Sequence, residues 1–150
     1  MEWILLAHAL GGAMWFGGQV YTEGLIASAA RTRDPETIMT VGLRAAKTSQ
    51  RVLGGAALIT LVFGTWIVFE SVYTFEMIFV TVGFAVAVIG IALSRFIVKP
   101  KTDEIEAIVA ERGPTDPEAL AKLKGLGNIG HAMTLLLTIA MILMVLKVGA

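Results

Sequence analysis

The stretch that decides the fold is Trp3–Ala30, which reads WILLAHALGGAMWFGGQVYTEGLIASAA. It is long enough to cross a bilayer, since roughly 20 apolar residues in a helix span the hydrocarbon core. It nevertheless carries His8, Gln19 and Glu23 inside the apolar run. Because polar groups at membrane depth are costly, they are usually retained for a function or a buried partner. We therefore expect this first span to hold the functional site.

One face of this predicted helix combines a histidine, a tryptophan and several glycines. Spacings of three, four and seven residues bring side chains onto one helical face. The face comprises His8, Gly11, Gly12, Trp15, Gly18, Gln19 and Thr22. The glycines allow another backbone or a flat ligand to approach closely. The face therefore has the residue types of a cofactor site.

The composition is that of an integral membrane protein. Of the 150 residues 56% are hydrophobic, which is high for a soluble domain. The formal net charge is zero, so the chain lacks the basic footprint of a nucleic-acid-binding protein. It has no cysteine, which excludes disulfides, thiolate metal sites and thiol nucleophiles.

Four apolar segments predict an all-α membrane protein, a single four-helix bundle over residues 1–150. The predicted spans are Trp3–Ala30, Val52–Ser71, Phe75–Val98 and Leu126–Val148. Every lysine and arginine except Lys147 falls at the ends that join spans one to two and three to four. By the positive-inside rule these ends are cytoplasmic and both termini lie outside. We expect a multi-pass protein of a bacterial-type cytoplasmic membrane.

The cytoplasmic connections are predicted to contain short helices of their own. The tripeptide DPE at 34–36 supplies an N-cap followed by a proline at the first helical position. Thr115 and Glu118 have the spacing of a capping box. Asp103–Arg112 has the pattern of a short amphipathic helix.

His8 is the first candidate ligand. Imidazole suits the iron of a haem, copper or zinc, and it can also carry protons. The alternative is a packing histidine that hydrogen-bonds a neighbouring helix. The membrane setting and Trp15 on the same face favour a ligand role.

His131 lies on the predicted fourth span and is the second candidate. It would act either as a ligand or as a hydrogen-bonded bridge to a group such as Glu23 or Gln19. The span ends place His8 in the outer half and His131 in the inner half, about 15 Å apart in depth. Two axial nitrogens on one iron are only about 4 Å apart. One chain therefore cannot bind one iron with both, whereas a twofold homodimer could pair His8 with its counterpart at equal depth.

Three further side chains are weaker candidates. Met141 and Met144 lie at about the depth of His8, and thioethers bind haem iron and copper(I), although membrane methionines more often fill gaps. Glu23 is expected to pair with an arginine, Arg44, Arg51 or Arg95, with a proton relay as the alternative.

The pattern of His8, then Trp15, Phe16, Gly18 and Tyr21, resembles the opening helix of the HemJ-type protoporphyrinogen oxidases and of the related CopD-like membrane proteins. The resemblance implies a small helical membrane protein that binds haem b, with His8 as an axial ligand. The HemJ pattern has an arginine near the end of the first helix, where this chain has Glu23-Gly24. It also has a lysine in the third helix, which Phe75–Leu93 lacks. These departures argue against porphyrinogen oxidation, whereas the resemblance still implies haem binding.

The leading hypothesis is a haem b membrane protein, predicted to be a homodimer with a redox partner. His8 would bind the iron, Trp15 would help to wall the pocket, and Gly11, Gly12 and Gly18 would admit the porphyrin edge. Its function would be electron transfer or a haem-dependent redox or gas reaction. The alternatives are a copper-handling protein, as the CopD resemblance implies, and a scaffold without a cofactor.

Overall fold

The computed structural model describes residues 1–149 and is all-helical, with 88% helix and no strand in that range. Four long helices follow one another: α1 (Glu2–Arg31), α2 (Pro35–Glu70), α3 (Ile78–Arg112) and α4 (Pro117–Leu146). Three of them, α2, α3 and α4, are long and apolar enough to cross a membrane. These helices are compatible with a multi-pass membrane protein. α1 has 30 residues, but His8, Gln19 and Glu23 interrupt its apolar run.

The sequence had predicted separate short helices in the connections between spans one and two and between spans three and four. In the structure these segments belong to the long helices. α2 runs without a break through a π-helical segment, Ser49–Leu53, and α3 runs through a second one, Ser94–Val98. The predicted helix Asp103–Arg112 is therefore the last part of α3, although its predicted end at Arg112 is correct. The wider π turn lets each helix change its facing residues without stopping.

The helix starts follow from side-chain caps. The Asp34 carboxylate accepts a hydrogen bond from the Thr37 amide at 3.0 Å, which confirms the predicted cap of α2. At α4 the cap is Asp116, which accepts from the Glu118 and Ala119 amides at 2.9 and 3.1 Å. Asp116-Pro117-Glu118 repeats the tripeptide that starts α2, and the start predicted from this repeat is confirmed. The predicted capping box of Thr115 is wrong, because Asp116 takes the N-cap position.

The four helices form a ring in which each packs on the next and α4 returns to α1. α1 and α2 approach most closely, because α1 presents Gly11 and Gly18 to side chains of α2. The apolar part of this ring forms one layer of the molecule. A core cluster fills the centre of that layer, with Trp15, Leu53, Val86 and Met133 among its buried members.

A second, more polar layer extends the helices beyond the apolar one. Its core includes Met39, Ile105 and Leu123, and Ile105 is fully buried. Ion pairs surround this core, among them Lys122 with Glu104 at 3.0 Å. The hydrogen bond to Glu104 raises the pKa of Lys122. This layer carries most of the charges that the sequence assigned to the cytoplasmic side.

Candidate functional site

The imidazole of His8 is fixed by the neighbouring helix. His8 Nδ1 lies 2.8 Å from the backbone carbonyl oxygen of Thr60 on α2. Because a carbonyl only accepts, Nδ1 carries the proton of this bond. Nε2 makes no hydrogen bond to the described residues and keeps its lone pair when the ring is neutral. A histidine that binds a metal shows the same arrangement, with one nitrogen held by an acceptor and the other free.

The ring of His8 packs against Gly64 on α2. A Cβ placed on Gly64 would lie 2.8 Å from Cε1 and 2.9 Å from Nδ1 of His8, but 3.9 Å from Nε2. The glycine therefore accommodates the bonded edge of the ring. His8 remains half-buried, and its neighbour Leu5 on α1 is 56% exposed.

The predicted glycine face meets α2 in this structure. A Cβ on Gly11 would lie 2.8 Å from Thr60 Oγ1, and one on Gly18 would overlap the Leu53 side chain. A Cβ on Gly12 would reach only the Thr60 methyl group, at 4.0 Å. The close approach predicted at Gly11 and Gly18 is thus made by another helix.

Trp15 lies in the buried core, with 7% of its surface exposed. Its ring edge packs on Gly90 of α3, where an added Cβ would come within 2.7 Å of Cζ2. Trp15 also lines the main cavity described below. It therefore faces α3, while His8 faces α2.

His131 on α4 makes the bridge to Glu23 that was one of its two predicted roles. His131 Nδ1 lies 3.0 Å from Glu23 Oε2, and the Thr134 hydroxyl donates to Glu23 Oε1. One turn earlier on α1, Gln19 Nε2 donates to the Gly130 carbonyl at 3.2 Å. The predicted arginine partners of Glu23 are not its partners here, because its carboxylate is bonded to His131 and Thr134 of α4.

The two histidines are far apart along the bundle. His8 and Glu23 are 15 positions apart on α1, which corresponds to about 22 Å in a continuous helix. Since His131 contacts Glu23, the two imidazoles cannot bind the same iron within one chain. This agrees with the separation expected from the sequence.

Neither methionine candidate lies beside a histidine. The Met144 methyl packs against Gly83 of α3. Met141 is 39% exposed and lines a shallow apolar groove with Phe16 and Thr138. Among residues 1–149, no three His, Asp or Glu side chains converge as a set of metal ligands.

A cavity of about 590 Å³ lies between the two core clusters, with walls from all four helices. Its wall is mainly apolar, and it includes Trp15, Gln19, Glu23 and His131. Both π-helical segments contribute, through Ser49 and Leu53 and through Ser94 and Val98. Sequence reasoning missed this cavity, because its residues come from four helices and share no local pattern.

No family model matches the chain, and no curated protein or solved structure matches it significantly. The resemblance to the HemJ-type and CopD-like proteins therefore stays a prediction.

Proposed function

We propose that the protein is a four-span membrane protein, with both termini outside, that binds haem b through His8. The position of α1 supports the fourth span. The ring centroids of Trp3 and Trp66 are 5.4 Å apart, so the start of α1 lies beside the end of α2. From there it packs along α2 past Gly11 and Gly18. α1 thus covers the same depth as the apolar part of α2.

The observation that carries the haem proposal is the hydrogen bond from His8 Nδ1 to the Thr60 carbonyl. It fixes the tautomer and leaves Nε2 for a metal. Gly64 packs against the same Nδ1–Cε1 edge of the ring, so the orientation of the imidazole is set by packing as well. The donor chemistry of His8 fits one axial position of a haem iron.

The number of protein ligands also favours haem over a metal held by side chains alone. A haem iron takes one or two axial ligands from the protein. A copper or zinc site normally uses three or four protein ligands. No three His, Asp or Glu side chains converge in residues 1–149. The described side chains therefore meet the requirement of haem at His8.

If the iron takes a second protein ligand, His131 of the same chain would not supply it in this arrangement. His131 is about 22 Å away along α1, and Met144 packs on Gly83. His8 is half-buried beside the exposed Leu5, so a second copy could approach it from the lipid side. A twofold homodimer would place its own His8 at equal depth. An open position would instead admit a gas or another small ligand.

When bound, haem supplies one-electron redox chemistry. The chain would contribute a fixed imidazole in the outer half and an apolar surrounding that keeps water away. Electron transfer, or a haem-dependent redox reaction, follows from such a site.

A reduced-minus-oxidised visible spectrum of the detergent-purified protein tests the proposal. We expect a b-type spectrum in the wild type that His8→Ala abolishes and His131→Ala retains. Loss of the signal only in His131→Ala would move the ligand to the inner half. A folded wild-type protein that takes up no added haem would refute haem binding.

A further inference from the structure

We propose that the 590 Å³ cavity in the inner half is a second binding site, for an uncharged amphiphile with an apolar body and a hydroxyl or carbonyl head group. This site is independent of His8, which does not line the cavity. Its volume falls within the usual range of about 300–1,000 Å³ for small-molecule sites.

The walls define the apolar part of the ligand. Trp15, Leu53 and Met133 belong to both the cavity wall and the core cluster of the apolar layer, here called the upper cluster. Leu123 and Leu126 join the wall to the core cluster around Ile105, here called the lower cluster. Apolar walls hold water poorly. An apolar chain or ring from the membrane would fill the space.

A preorganised polar cluster defines the head group. Gln19 is held by the Gly130 carbonyl, and Glu23 is held by Thr134 and His131. These bonds join α1 to α4 without using His131 Nε2. That nitrogen belongs to a cavity-lining residue and is available to a ligand hydroxyl or, when protonated, to a ligand carbonyl.

The charges of the wall favour a neutral head group. The charged or titratable side chains that line the cavity are Glu23, His131 and Lys124. Glu23 opposes an anionic head group, and Lys124 opposes a cationic one. Glu23 and His131 are already paired at 3.0 Å. A hydroxyl or carbonyl can bond this pair without adding a net charge.

The two π-helical segments are an independent sign of a site. They lie on neighbouring helices, and the first residue of each, Ser49 or Ser94, lines the cavity. π turns inside long helices are frequent at functional sites. Here they shape the wall opposite the polar cluster on α1 and α4.

Tryptophan fluorescence can report occupancy directly. Of the three tryptophans, Trp3 and Trp66 are in contact with each other, and only Trp15 lines the cavity. In a Trp3→Phe/Trp66→Phe background, bound bromine would quench Trp15. The probes are dibromostearyl alcohol, dibromostearic acid at a pH where it is ionised, and a dibromo-phosphatidylcholine as bulk lipid.

We expect saturable quenching by the alcohol, with the acid at least several-fold weaker and the phosphatidylcholine unsaturable. Gly54→Leu should abolish the saturable phase, because a Cβ at Gly54 meets no atom within 4 Å and the side chain would enter the cavity. Gly55→Leu is the matched control, since it is equally unobstructed and does not line the cavity. Gly127→Leu and Gly125→Leu form a second such pair on α4.

His131→Leu should weaken binding of the alcohol about tenfold, as expected for one lost hydrogen bond. Three results would overturn the proposal: equal quenching by all three probes, tighter binding of the acid, or equal behaviour of the Gly54 and Gly55 variants. Loss of a haem spectrum in Gly54→Leu would also overturn it, since the cavity would then be the haem site.

Discussion

The two histidines share one feature: in each, Nδ1 contacts an acceptor on another helix, and Nε2 has no hydrogen-bond partner among residues 1–149. The acceptor is the Thr60 carbonyl for His8 and the Glu23 carboxylate for His131. The two rings differ in exposure, because the side chain of His131 is 66% exposed whereas His8 is half-buried against Gly64. His8 is the better oriented of the two.

Gly64→Ala tests whether packing orients His8. The added methyl group would lie 2.8 Å from His8 Cε1, so the imidazole must move. We expect a loss of about 1–3 kcal/mol in the free energy of unfolding, as for an overpacked core. Thermal unfolding in detergent measures it. Gly55→Ala, on the same helix with open space, should be neutral or stabilising. Equal stability of the two variants would contradict the packing role.

The polar face of the first helix could be predicted from the sequence, but its neighbours could not. Helical spacing puts His8, Gly18 and Gln19 on one side of α1. In the structure His8 and Gly18 meet α2, while Gln19 and Glu23 meet α4. A helix in a four-membered ring contacts two neighbours. Periodicity alone does not say where one contact ends and the next begins.

For the helices, the sequence predicted the capped ends correctly, but it also predicted breaks at two places where the helix continues. The cap at Asp34 and the end at Arg112 are local features with residue-specific causes. The joins at Ser49–Leu53 and Ser94–Val98 are followed by Gly54-Gly55 and by Pro100. Glycine and proline usually indicate the end of a helix, yet both helices continue here. Continuity there depends on packing between the two layers.

Asp34 makes the start of α2 sensitive to pH. Its hydrogen bonds with Thr37, first to the side chain and then to the backbone, lower the pKa of its carboxyl below the ordinary value of 3.8. The stabilisation is therefore complete above the unfolded-state pKa and is lost as the pH falls through the lower folded-state pKa.

Hydrogen exchange of the Thr37 amide should accordingly lose protection at acidic pH, beyond the intrinsic change in exchange rate. Asp34→Ala should remove that protection at neutral pH, and Asp34→Asn should keep most of it without the pH dependence. A wild type and Asp34→Asn with the same acid profile would show that the carboxylate is not the cause.

Ile105 tests the second layer as an element of its own. Its side chain is fully buried among Met39, Leu123 and their neighbours. Ile105→Ala should cost about 2–5 kcal/mol, through lost transfer free energy and the cavity left behind. The exposed Glu111→Ala should change stability by less than about 0.5 kcal/mol.

Limited trypsin digestion, which cuts at the lysines and arginines of this layer, measures the effect. Ile105→Ala should be cut faster than Glu111→Ala at the same detergent concentration. Equal rates would show that the lower cluster does not hold the layer together.

At the scale of the whole molecule, the apolar segments predicted an all-helical protein, and the structure confirms that class. The cavity between the layers could not be predicted, because it depends on how Gly54, Gly127 and the two π segments are brought together. The sequence shows that Gly54, Gly127 and the first residue of each π segment, Ser49 or Ser94, are small. Only the packing of four helices shows that they leave space between them.

The membrane topology can be measured, because the natural chain has no cysteine. A single Glu2→Cys, Val72→Cys or Arg112→Cys variant would carry the only thiol. These positions lie at the start of α1, in the turn between α2 and α3, and at the end of α3. With four spans, a membrane-impermeant maleimide should label Glu2→Cys and Val72→Cys in intact cells. Arg112→Cys should react only after permeabilisation.

Glu2→Cys distinguishes three spans from four. The turn after α1 joins it to the first turn of α2, which lies on the side of the charged layer. If α1 did not cross the bilayer, its first residue would remain on that side and would be protected together with Arg112→Cys. Labelling of Glu2→Cys from outside would require α1 to cross, because its 30 residues lead from that label to the charged side. That result would place His8 at membrane depth, where the haem proposal needs it.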